Sequence, residues 1–192
     1  MLRILLIRPG ATELDEQGRI KGSLDIPLSD HGIDQVRQTV DELAGEQIKM
    51  IYASACLSAR QTAEQIAENN SAKVKIVSNL HNLNRGLWQG KSIDELRTHQ
   101  PKVFRQMQES PEFFSPPGGE SIHDAQIRVG KWLAKVIRKH HDNEVIAIVA
   151  PEPLASVIRS RLSHGMVWDV WQQECRCGNW DVIDIELGHL VS

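Results

Sequence analysis

Short apolar runs of strand length alternate with amphipathic helical stretches along this chain, and that alternation constrains its fold more than any other feature. "RILLIR" (3–8), "KMIYAS" (49–54), "KVKIVS" (73–78), "EVIAIVA" (144–150) and "WDVIDIEL" (180–187) read as strands. The first and fourth are continuous apolar runs, as expected of strands buried on both faces. Between them, Ile33, Val36, Val40, Leu43 and Ala44 recur at helical spacing before a stop at Gly45, and "SARQTAEQIAEN" (58–69) reads as a helix. From Glu120 a longer helix carries Ile122, Ala125, Val129, Trp132, Leu133, Val136 and Ile137 on one stripe, and another is expected over "PEPLASVIRSRL". This order predicts an α/β fold, a three-layer αβα sandwich with a mostly parallel central sheet. Ligands of such sheets sit at the carboxyl ends of the strands. Those ends are Arg8-Pro9-Gly10, Ser54-Ala55-Cys56, Ser78 onward and Ala150-Pro151-Glu152.

The middle of the chain breaks the pattern. It is polar, with short helical stretches at 92–99 and 101–109 and then "SPPGGES". The expectation is a single domain over 1–192, with an excursion at about 79–119 that covers the cleft. A hydrophobic fraction of 41% and a charged fraction of 24% are those of a soluble globular chain. A formal charge of −3 argues against broad electrostatic binding to nucleic acid or to an anionic membrane. No apolar run approaches a membrane-spanning length, and the run at the start is too short for a signal peptide. Three cysteines, Cys56, Cys175 and Cys177, make a disulfide framework unexpected, and a zinc site would want about four ligands. A cytoplasmic protein without metal or cofactor is therefore expected. "HGMVWDVWQQECRCGNW" (164–180), with Trp168, Trp171 and Trp180, is the candidate surface for a protein partner or a homodimer.

Several spaced motifs resemble those of the histidine phosphatase superfamily, the phosphoglycerate-mutase-like group. Arg8-Pro9-Gly10-Ala11-Thr12 with Asp15 stands where that family has Arg-His-Gly-Glu-Thr and an Asn. Gly18-Arg19-Ile20-Lys21-Gly22, Asp25, Pro27-Leu28-Ser29, Gly32 and Gln35 follow its next signature closely. Gln61-Thr62-Ala63, the Gly86, Trp88 and Gly90 turn, Pro117-Gly118-Gly119-Glu120-Ser121 and Arg128 continue the match in order.

The resemblance implies a phosphohistidine mechanism, and there the sequence departs from it. The nucleophilic histidine falls at Pro9, the second phosphate-binding arginine at Ser58, the acid at Asn82 and the second histidine at Pro151. Arg8 alone keeps its family role, so the remnant phosphate pocket is expected to comprise Arg8, Gly10, Thr12, Asp15, Gly22 and Glu152. Arg60 lies two helical positions beyond Ser58 and so points about 200° away from it. The expectation is a pseudoenzyme with a binding or regulatory role, no catalytic residue, and weak or no phosphate binding. The alternative is residual or redirected phosphatase or phosphomutase activity on a small phosphorylated metabolite, with Glu13, Asp15 or Glu152 as general acid or base. Glu152 or Asp15 is expected within salt-bridge distance of Arg8, in part of the anion's place.

Overall fold

The computed structural model describes residues 1–163 and 176–187. Five strands form one sheet: β1 (Leu2–Ile7), β2 (Ile48–Ser54), β3 (Lys73–Val77), β4 (Val145–Val149) and β5 (Trp180–Ile185). Their order is β3-β2-β4-β1-β5. The first four are parallel neighbours, and β5 runs antiparallel along β1, pairing Trp180 with Ile7 and Ile185 with Leu2. The helices are α1 (Glu13–Glu16), α2 (Asp30–Glu42), α3 (Leu57–Asn70), α4 (Ile93–His99), α5 (Pro101–Glu109), α6 (Ile122–Ile137) and α7 (Leu154–Ser163).

Successive residues of a strand face opposite sides of its sheet. Leu5 and Ile7 of β1 pack with Leu43 after α2 and with Ala59, Ala63 and Ile66 of α3. Leu2, Ile4 and Leu6 pack on the other face with α6 and α7. Both faces are covered, so β1 reads as an unbroken apolar run; each buried leucine contributes roughly 1.5–3 kcal/mol. All seven stripe residues of α6 are buried.

Helix ends differ from expectation where capping decides them. Helix α6 starts at Ile122 because the Ser121 hydroxyl caps it, accepting from Asp124 N at 3.0 Å. Helix α7 starts at Leu154, after Pro151-Glu152-Pro153, with Ala155 N donating to Pro151 O at 3.0 Å. The single turn α1 was not expected from the sequence; Thr12 and Asp15 cap each other's backbone across it.

The loop after β1 lies against the start of α2. A Cβ on Gly10 would stand 2.2 Å from Gly32 O, and one on Gly32 would stand 2.0 Å from Ala11 O. Glycine at both positions is what lets the two backbones meet. Between β3 and α6, helices α4 and α5 gather a small core of their own around Trp88, Leu96 and Met107. That segment is tied back by Arg128, whose Nε and Nη2 donate to the two Glu120 oxygens at 2.6 and 2.9 Å. Its Nη1 donates to Asn79 O at 2.7 Å. Nearby Arg85 is buried, and burial pulls its pKa down to about 9 although Glu120 works the other way.

Candidate functional site

The carboxyl ends of the two central strands, β1 and β4, are neighbours, and each delivers a charged side chain to the same spot. Arg8 follows β1 and is 3% exposed. Its Nε donates to Glu152 Oε1, in the turn after β4, at 3.0 Å. Its Nη1 donates to Asp181 Oδ2 on β5. Arg159 of α7 approaches the same Asp181 oxygen at 3.7 Å. Burial opposes the Arg8 charge, but the hydrogen bond to Asp181 and the field and hydrogen bond of Glu152 outweigh it, and its pKa is raised.

Glu152 also serves the helix that follows it. Its Oε2 accepts from Ser156 N at 3.2 Å, so the carboxylate spans the Arg8 guanidinium and the positive end of α7. Its backbone is held by Asn82, whose Nδ2 donates to Glu152 O at 3.0 Å and to Gly22 O at 2.9 Å. Asn82 is 3% exposed, and its Oδ1 accepts no hydrogen bond among the described residues. One chain of contacts thus joins Arg8, Glu152, Asn82 and Gly22.

Asp15 belongs to a second group. Its Oδ2 accepts from Thr12 N at 2.8 Å, from Thr12 Oγ1 at 2.7 Å and from Lys21 Nζ at 2.7 Å. It pairs with Lys21 and not with Arg8, so the acid on Arg8 is Glu152. Gly10 belongs to a third: its N donates to Thr62 Oγ1 at 3.4 Å, and that hydroxyl donates to Ser58 O at 2.8 Å. Ser58 is buried, and the Cys56 sulfur lies 3.8 Å from its hydroxyl. Pro9 is buried, and its carbonyl accepts from Gly178 N at 3.0 Å. Pro151 is buried as well. Arg60 turns to Asp25, at 3.7 Å.

Sequence reasoning missed Asp181 and Lys21. The signal for Asp181 was an acid within the last strand; in the antiparallel register it pairs with Leu6, two residues before Arg8. Neighbouring Trp180 donates from Nε1 to Glu42 Oε2 at 2.9 Å. The rest of the candidate partner surface, 164–175, lies outside the described residues. Cys177 is disulfide-bonded and Cys56 is a free thiol. No group of three or more His, Cys, Asp or Glu placed for a metal occurs among the described residues, and no described helix is long and apolar enough to cross a membrane.

A mostly parallel five-stranded sheet covered on both faces, with an arginine after β1 facing the turn after β4, defines a phosphoglycerate-mutase-like α/β protein. The chain belongs to the histidine phosphatase superfamily (branch 1), whose family model matches residues 4–191. It is 27% identical over 186 residues to phosphoserine phosphatase 1 of Hydrogenobacter thermophilus, covering 97% of this chain and 88% of that protein. It is 30% identical over 137 residues to the probable phosphoglycerate mutase GpmB of Salmonella choleraesuis, covering 71% of this chain and 64% of that protein. The alpha-ribazole phosphatase from Shigella flexneri superposes with a TM-score of 0.83 at 23% identity, covering 96% of this chain and 91% of that one.

These likenesses correct one expectation. Pro9, Ser58, Asn82 and Pro151 suggested a fold kept for binding without catalysis. A relative matched over 97% of this chain is named phosphoserine phosphatase 1, and the findings favour the alternative, phosphatase activity, over a fold kept for binding.

Proposed function

We propose that this protein hydrolyses the phosphate monoester of a small metabolite by a redirected route, with water in place of a histidine nucleophile. The observation that carries this reading is Arg8, buried at the carboxyl ends of β1 and β4 and bridged to Glu152 at 3.0 Å. Phosphoryl transfer needs little covalent help from the protein; it needs cationic positioning of the phosphoryl oxygens and an aligned nucleophile. Arg8 supplies the first, with the donors at the start of α7. Glu152, once off the guanidinium, supplies a base for the second. Water oxygen bonds to phosphorus, its proton passes to Glu152, and the ester P–O bond breaks with its electron pair on the leaving oxygen, which takes a proton from solvent. Proline has no group that can carry a phosphoryl, so no phosphohistidine forms at position 9. The same reasoning favours a phosphatase over a mutase, which must hold the phosphoryl between two half-reactions.

The test is release of inorganic phosphate from phosphoserine, p-nitrophenyl phosphate and a set of sugar phosphates by purified protein. Turnover that falls by roughly 10²-fold or more in Arg8→Met, at a temperature where circular dichroism shows the variant folded, supports the reading. Activity equal in wild type and Arg8→Met, or none on any monoester, refutes it.

A further inference from the structure

The hydrogen bonds of Glu152 point to a carboxylate latch. We infer that, in the resting protein, its side chain occupies the place of a substrate's phosphoryl oxygens, and that a dianionic phosphate monoester binds by displacing it. This rests on the phosphoryl-site reading above and adds to it how the site is regulated and what charge its ligand must bring.

Both carboxylate oxygens are engaged by donors of the kind a phosphate uses: Arg8 Nε on Oε1 and Ser156 N on Oε2. The side chain is 12% exposed and that of Arg8 4%, so little water competes for the pair. The local charges already balance, Arg8 and Arg159 against Glu152 and Asp181. A carboxylate or a phosphodiester brings one charge and exchanges evenly for Glu152. A monoester brings three charged acceptor oxygens where Glu152 has two, and it gains by the extra hydrogen bonds it accepts from the Arg8 fork and the first turn of α7. The backbone need not follow the side chain out, because Asn82 Nδ2 holds Glu152 O at 3.0 Å. Asn82 Oδ1 is a buried acceptor that takes no hydrogen bond among the described residues.

Sulfate, which keeps its two charges across neutral pH, tests the latch without turnover. Calorimetric titration at constant ionic strength should show weak binding to wild type and roughly tenfold tighter binding to Glu152→Gln. Adding Arg8→Met to Glu152→Gln should abolish the gain at a temperature where circular dichroism shows the double variant folded. Affinities of wild type and Glu152→Gln within threefold, or a gain that survives Arg8→Met, overturn the latch. Should Glu152→Gln not fold, the Ser156 amide resonance of wild type decides: saturating sulfate must shift it as Oε2 departs, and an unmoved resonance overturns the proposal. Tightened sulfate binding with no phosphatase turnover would leave the latch standing and remove the hydrolysis reading alone.

Discussion

Arg8 and Glu152 stand 144 residues apart in the chain and 3.0 Å apart in the folded protein, an ion pair buried where β1 and β4 end side by side. Taking two charges out of water costs several kcal/mol per ion, and only mutual attraction and further hydrogen bonds recover it. Asp181 and Ser156 N provide those bonds.

Removing one partner of such a pair leaves the others buried and uncompensated. Arg8→Met should therefore destabilise the fold by about 3–5 kcal/mol, read as a lower urea midpoint. Arg8→Lys should recover only part of this, because an ammonium cannot present the guanidinium fork to Glu152 and Asp181 together.

The water route has a stereochemical signature. Direct displacement inverts configuration at phosphorus, whereas a phosphoenzyme on the path gives two inversions and net retention. Hydrolysis of a chiral thiophosphate monoester in isotopically labelled water should show inversion. Retention, or an acid-labile phosphoenzyme in quenched reactions, would return the chemistry to a protein nucleophile.

Asn82 joins the Gly22 loop to the Glu152 turn through one amide. Asn82→Leu deprives two carbonyl oxygens of their donor and should cost roughly 2 kcal/mol. Thermal melting should fall by about 2–4 °C per kcal/mol for a chain of this size. Because the Glu152 backbone is loosened with it and Glu152 supplies the base, kcat should fall more than KM rises.

A buried chain of polar groups sits away from the site: Tyr52 Oη lies 2.9 Å from His140 Nε2, and His140 Nδ1 lies 2.7 Å from Glu144 Oε2. Lys49 donates to the other Glu144 oxygen. The hydrogen bonds from Lys49 and then His140 hold the Glu144 carboxyl at about 2, below its ordinary 4.5. A depressed carboxylate gives stability that is fully present above the unfolded value and is lost as pH falls through the folded one. Wild type should thus lose stability progressively between pH 4.5 and 2. Glu144→Gln should be less stable at pH 7 and flatter across that window, measured by urea denaturation at stepped pH.

Much of the site was legible before folding because its residues sit in local punctuation. Arg8 follows an apolar run, Gly10 marks a tight approach, and Pro151-Glu152-Pro153 precedes a helical pattern. Each is a short-range signal. The partner of Asp15 was not legible: Lys21 is six residues away, across the unexpected turn α1, and its pairing depends on how that turn is capped. Asp181 was less legible still, since its approach to Arg8 follows from the antiparallel register of β5 on β1.

The sequence by itself determined the layered α/β fold and the chemical types gathered at the strand ends, because both follow from residue period and from which side chains can be buried. Tertiary structure decided which acid meets which cation. Glu152, Asp15 and Asp181 carry the same carboxylate, and nothing local distinguishes them as partners for Arg8. Strand order puts β4 and β5 on either side of β1, Asn82 pins the Glu152 backbone, and α1 commits Asp15 to Lys21. Ion pairing falls steeply with distance and depends on burial, and those two quantities exist only once the chain has packed.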